Sequence, residues 1–253
     1  MRLVRRYVEK PWGRTRLPPM FDSPPGKRIG EVWFVGGGEE LPLLAKYIFT
    51  SERLSIQVHP DDTAARARGL VQGKSECWYI LDAEPGATLG LGLTGQIAQE
   101  RLREAAIDGS IEQLVHWREV RAGDFVFVPA GTIHAIGAGI SLLEFQQNSD
   151  VTYRLYDYGR PRELHLDDAL EVADRAPFPE HLFQRLGARD ERTLVDGPHF
   201  TLAIGRSDPL TDRRRWLLPI DGPAAGDCVL AEPGEAVDSG GARLLVGAMT
   251  EPS

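Results

Sequence analysis

Short apolar runs separated by glycine turns, with few stretches of helical period between them, constrain this chain most. Residues 31–35, 43–50, 73–81, 125–128, 140–145 and 151–158 each read as a strand. Runs of that length and spacing build an antiparallel sandwich or barrel, not a doubly wound sheet. Helical signals are sparse. Residues 62–69 carry a capping aspartate and a terminal glycine, and 164–173 place Asp167 and Asp168 in a first turn. Residues 96–115 have apolar positions at Ile97, Leu102, Ile107, Ile111 and Leu114, with a break at Gly109. Residues 1–30 read as an irregular arm, because prolines and glycines punctuate them too often for a long element. From about residue 177 a second, smaller β unit follows, with strands at 199–204, 214–220, 228–230 and 244–247.

The net charge of -8 over 253 residues argues against a nucleic-acid partner, which calls for a basic face. It also means that an anionic ligand must be held by locally placed cations. Lysine occurs at Lys10, Lys27, Lys46 and Lys74 alone, and the other cations are arginines. A lysine kept in such a background points to sites that need an ammonium. Cys77 and Cys228 make no disulfide framework, which fits a reducing compartment. No signal-peptide run and no membrane-length apolar segment is present, so a cytoplasmic protein with no membrane partner is expected. Coiled-coil periodicity is absent, and a monomer or weak dimer is the default.

Candidate chemistry begins in residues 54–62. By period two, Leu54, Ile56 and Val58 point one way, and Ser55, Gln57 and His59 the other. The polar face is either the solvated side of an ordinary strand or a ladder of ligands ended by Pro60. Lys46, inside an apolar strand, either snorkels outward or faces a polar cavity. In the strand at 73–81, Glu76, Trp78 and Ile80 share one face, and Cys77 faces away from Glu76 and reads as core. Gly123-Asp124, an apolar strand ending at Pro129, and then Gly131-Thr132-Ile133-His134 resemble the grammar of a cupin motif. Gln57, His59, Glu76 and His134 together would offer two imidazoles, a carboxylate and an amide oxygen, a set suited to zinc. The triple glycine Gly36-Gly37-Gly38 is no phosphate loop, since Glu39 and Glu40 follow it.

These motifs resemble one family over roughly residues 10–166, and in its order. They are Lys10-Pro11-Trp12-Gly13, Gly30-Glu31-Val32-Trp33, the Lys46 strand, Gln57-Val58-His59-Pro60 and Lys74-Ser75-Glu76-Cys77-Trp78. Pro129 to Gly139, Glu144 to Arg160, and Glu163-Leu164-His165 complete them. The chain is identified as similar to the type I phosphomannose (mannose-6-phosphate) isomerases in their short bacterial form. The resemblance implies an all-β cupin jelly roll with a few short helices. Residues 1–165 would be the catalytic unit, with a helical insert at about 96–115, and 166–253 the smaller C-terminal cupin-like unit. It implies Gln57, His59, Glu76 and His134 as ligands of one zinc ion per chain. Arg154, Lys74 and Asp150 would be catalytic groups, Lys74 a candidate for proton transfer. Ser55, Lys46, Glu144 and Asp157 would bind substrate, a small sugar phosphate. The implied reaction interconverts mannose 6-phosphate and fructose 6-phosphate through a cis-enediol. Departures from the family pattern are a shortened loop at 36–42 and the absence of a large helical domain. A trimmed mouth leaves two alternatives, isomerisation of another or unphosphorylated sugar, and a non-catalytic cupin that binds metal or sugar.

Overall fold

The computed structural model describes residues 1–250. The chain runs β1 (Val4–Arg14), β2 (Ile29–Val35), β3 (Leu43–Phe49), β4 (Ile56–Val58), α1 (Asp62–Ala67), β5 (Glu76–Ala83) and β6 (Thr88–Leu93). Next come α2 (Gln99–Asp108), α3 (Ile111–Leu114), β7 (Val115–Glu119), β8 (Asp124–Val128), β9 (His134–Ile136), β10 (Ile140–Gln147), β11 (Tyr153–Tyr156) and α4 (Leu166–Val172). After a short 3-10 turn come β12 (Phe183–Arg185), β13 (Arg192–Asp196), β14 (Phe200–Gly205), β15 (Arg215–Pro219), β16 (Val229–Ala231) and β17 (Leu244–Met249).

Side-chain alternation sorts these strands into layers. Trp78 and Ile80 of β5 point toward Leu89, Leu91 and Ile136 of a facing sheet, whereas Cys77 and Tyr79 point the other way, into a cluster with Phe145, Phe200 and Trp216. A seven-stranded sheet, in the order β1-β2-β3-β10-β5-β8-β12, is therefore the middle layer. On one side lies the five-stranded sheet β11-β4-β9-β6-β7, and on the other the sheet β13-β14-β17-β15-β16. The outer face of the β4 sheet is closed by helices, since Ile56 and Val58 pack with Leu102, Ala105, Ala169 and Leu170. Burial on both faces explains why β3 and β10 are buried at every residue. Strand pairing is antiparallel throughout, as expected of a cupin sandwich.

The structure corrects several readings of the sequence. The arm contains an 11-residue edge strand, β1, paired to β2. Pro11 falls where the register breaks between Glu9 and Arg14, so its missing N–H interrupts no ladder. The glycine-rich β6 was not expected as a strand. A Cβ at Gly90 would lie 2.7 Å from Val115 Cγ1, and this close packing of β6 on β7 needs the glycine. The helical stretch at 96–115 does split at Gly109, whose φ of +83° ends α2. Ile107 is exposed, and Ala105 and Ala106 take the buried face instead. The last third contains the expected β14 to β17 and two further strands. Of these, β12 crosses back to pair with β8 of the middle sheet.

Candidate metal centre and its cavity

Sheet register brings the site together. Gln57 of β4 lies opposite His134 of β9 on one side and Arg154 of β11 on the other. Across the sandwich, Glu144 of β10 sits between Lys46 of β3 and Trp78 of β5, and Gln146 opposes Glu76. His59 follows the end of β4, where its carbonyl accepts from the Gly131 N–H at 2.8 Å. The loop that carries His134 is thereby tied to the strand that carries Gln57.

His59, Glu76 and His134, each 1% exposed, hold their ligating atoms within 4.8 Å of one another. Glu76 Oε2 is 3.4 Å from His59 Nε2, and Glu76 Oε1 is 3.4 Å from His134 Nε2. The His134 Nδ1–H donates to the Thr132 carbonyl at 2.9 Å, which leaves the Nε2 lone pair facing the cluster. The Gln57 amide reaches within 3.2 Å of His134 Nε2, and its other end meets Ser55 Oγ at 3.0 Å. A half-turn of that amide presents its oxygen to the cluster and its NH2 to Ser55.

Electrostatics suit a cation. Burial drives the His59 imidazole down to about 3 and lowers that of His134, so both rings are neutral with free lone pairs. Burial pushes the Glu76 carboxyl up, but its neighbours, Lys74 foremost, more than offset this and hold it well below the usual carboxylate range. Both ring nitrogens of His59 and Glu76 Oε2 are buried without a hydrogen-bond partner. Buried polar atoms are seldom left so, and a metal ion would take up His59 Nε2 and the Glu76 oxygen. Two neutral imidazoles, one carboxylate and an amide fit a resident metal.

The cavity above this cluster is lined with charge. Lys46 Nζ is 3.0 Å from Glu144 Oε1, and Trp78 Nε1 donates to Glu144 Oε2 at 3.0 Å. Lys46 thus faces inward. Burial works against its charge, but Glu144, Glu31 and Glu76 outweigh that and hold it above the ordinary lysine range. Lys74 Nζ lies 3.0 Å from Glu76 Oε2 and 3.9 Å from Glu144 Oε1. Ser55, Asp150 and Arg154 also line the cavity.

Comparison with known proteins now decides the family. No family model matches the chain. It is 35% identical over 258 residues to "Mannose-6-phosphate isomerase ManA" of Bacillus subtilis (strain 168), covering 84% of this chain and 82% of that protein. The chain belongs to the mannose-6-phosphate isomerase family. It is also 39% identical over 173 residues to the mannose-6-phosphate isomerase of Streptococcus mutans, covering 64% of this chain and 53% of that one. The crystal structure of mannose 6-phosphate isomerase from Bacillus subtilis superposes with a TM-score of 0.74 at 28% identity, over 98% of this chain and 96% of that one. This member of the mannose-6-phosphate isomerase family is therefore an isomerase with the expected cupin fold, and its His–Glu–His cluster can hold a metal ion. Among the described residues no helix is long and apolar enough to cross a membrane.

In this mannose-6-phosphate isomerase fold, the site residues named from the sequence meet at the cavity or in the metal cluster beneath it, Asp157 excepted. Asp157 is buried behind the wall, where it pairs with Arg160 and Arg162, and is not part of the lining. Leu54, expected on the outer face with Ile56 and Val58, packs inward with Trp12, Ile48 and Trp78. Strand β4 begins only at Ile56, so its alternation does not reach back to Leu54. Sequence reasoning gave no role to Lys10, Trp12, Glu31 and Arg162, which also line the cavity. Lysine scarcity was a usable signal for the first, because Lys10, Lys46 and Lys74 all line it. Arg162 sits in a turn with no pattern to mark it.

Proposed function

We propose that this isomerase interconverts mannose 6-phosphate and fructose 6-phosphate through a cis-enediol, with one zinc ion held by Gln57, His59, Glu76 and His134. The carrying observation is the buried His59–Glu76–His134 cluster, which adjoins through Glu76 and Gln57 the cavity that Arg154 lines. Nitrogen and oxygen donors in this number favour zinc. Bound zinc supplies Lewis-acid charge for the substrate oxygen that turns negative as a carbon-bound proton leaves. Arg154 donates N–H groups to the same developing charge, from a position one strand away from Gln57. Lys74 Nζ, in the dry wall beside Glu76, would act as the base once it has released a proton, its neutral amine taking the proton from one carbon and the resulting ammonium returning it to the next. Asp150 at the exposed rim serves ring opening, and Lys46, Glu144 and Ser55 hold sugar hydroxyls. A cavity wall this buried keeps bulk water from exchanging the proton in transit.

Among the described residues, all that line the cavity lie at or before Arg162, which supports residues 1–165 as the catalytic unit and 166–253 as a supporting one. The free, buried thiols of Cys77 and Cys228 support a reducing, cytoplasmic setting. A monomer or weak dimer is proposed from the sequence. A coupled assay with fructose 6-phosphate, free fructose and free mannose tests the reading. Turnover of the phosphorylated sugar alone is expected; equal or faster turnover of a free sugar contradicts it, and so does the absence of any turnover.

A further inference from the structure

Five cations line the cavity: Lys10, Lys46, Lys74, Arg154 and Arg162. Each lysine is committed to a carboxylate of the wall, Lys10 to Glu31 at 3.5 Å, Lys46 to Glu144 at 3.0 Å and Lys74 to Glu76 at 3.0 Å. The two arginines differ. Arg154 Nε is buried without a hydrogen-bond partner. Arg162 is gripped from outside the cavity, its Nε and Nη2 donating to the two oxygens of Asp157 at 2.6 and 2.7 Å. Such a two-point grip fixes the plane of the guanidinium and leaves Nη1 uncommitted. Arg162 remains 26% exposed and therefore belongs to the mouth. Burial and the Arg162 charge together push the Arg154 guanidinium below its ordinary range, which marks two facing cations.

The backbone that delivers Arg162 is itself held. Tyr158 and Gly159 have φ of +55° and +76°, a left-handed turn directly after Asp157. A tyrosine keeps that conformation when its surroundings enforce it. Here the Arg53 guanidinium lies 3.8 Å over the Tyr158 ring, and Arg160 Nη2 donates to the Arg53 carbonyl at 2.8 Å. At the far end, the His165 N–H donates to the Arg154 carbonyl at 2.9 Å, and the Arg154 N–H to His165 Nδ1 at 3.2 Å. The turn is strapped at both ends, with Arg162 beside Arg154.

We infer that Arg162 is the specificity-determining residue for the substrate's phosphate, and that Asp157 is the positioning residue that aims its guanidinium at the mouth. This rests on the sugar-phosphate substrate of the proposed function. A guanidinium without a cavity carboxylate at the mouth suits a phosphate dianion, which takes planar, two-point donors well, and leaves Arg154 deeper in the cavity to the reacting end of the sugar.

Calorimetric titration of fructose 6-phosphate and of fructose into the metal-loaded protein gives an affinity ratio that measures phosphate recognition. In Arg162→Ala the ratio should fall about 10- to 100-fold, the span of a charge-assisted contact. Arg162→Lys and Asp157→Asn should fall between that and wild type, because each keeps a cation but loses the fixed fork. Arg160 still neutralises Asp157 in the Arg162 variants. A ratio in Arg162→Ala within about threefold of wild type overturns the inference, and so does a wild type that binds both sugars alike. Turnover in the same preparations separates the two readings. A wild type that prefers the phosphorylated sugar but does not isomerise it removes the proposed function and leaves the phosphate assignment standing.

Discussion

Lys46 Nζ lies 3.0 Å from Glu144 Oε1, with the two side chains 4% and 3% exposed. A buried pair of this kind is costly to half-remove, because the surviving Glu144 charge keeps only the Trp78 N–H and Lys74 at 3.9 Å. Lys46→Met should therefore destabilise the protein by about 3–5 kcal/mol in urea unfolding. The double change Lys46→Met with Glu144→Leu should cost less than Lys46→Met alone. A single-variant loss below about 1 kcal/mol would mean that the pair is solvated and the cavity wall wet.

Glu31, also in the wall, predicts an acid limb. Burial pushes its carboxyl up, but Lys46, Lys10 and the Trp33 N–H outweigh burial and leave it below the ordinary glutamate value of 4.5. The unfolded chain then binds more protons than the folded one just below that value, so stability rises with pH there. The contribution of Glu31 is present above 4.5 and is lost as pH falls through its lower folded value. Urea curves for wild type and Glu31→Gln should differ at pH 7 and converge toward pH 3. Parallel curves at both pH values would deny the group this linkage.

Where the sequence was legible, period two made it so. Gln57 and His59 share a face, Glu76 and Trp78 share another, and both faces close on the cavity. The signal failed where glycine or proline carries structure by close packing. β1 hides Pro11 in a register break, and β6 needs Gly90 for contact with Val115. The fold also reaches beyond local pattern at β12, a three-residue strand placed only by its pairing with β8. Arg162 had no local signal, since its position comes from Asp157 and a left-handed turn.

Gly247 tests how the third sheet is seated on the middle one. A Cβ there would collide with the ring of Phe145, which is held edge-on by Phe200 and Trp216. Phe145 neighbours Glu144 on β10, so the contact lies just behind the site. Gly247→Ala should lower stability by about 1–3 kcal/mol, the usual cost of overpacking. Thermal unfolding within a degree of wild type would show that the ring yields freely.

Arg154→Ala should lose turnover by about 100- to 1,000-fold, the typical cost of removing one donor to a developing oxyanion. Metal content should stay at one equivalent, because the side chain is outside the His59–Glu76–His134 cluster. Turnover near wild type would remove Arg154 from the chemistry, and parallel loss of metal would make its role structural.

The central claim is that Gln57, His59, Glu76 and His134 hold the zinc ion on which isomerisation depends. Metal analysis of chelator-treated protein, paired with the fructose 6-phosphate assay before and after zinc is returned, tests it most directly. One zinc per chain, lost activity in the stripped protein and recovery at one added equivalent are predicted. Full turnover in protein verified to be metal-free would contradict it.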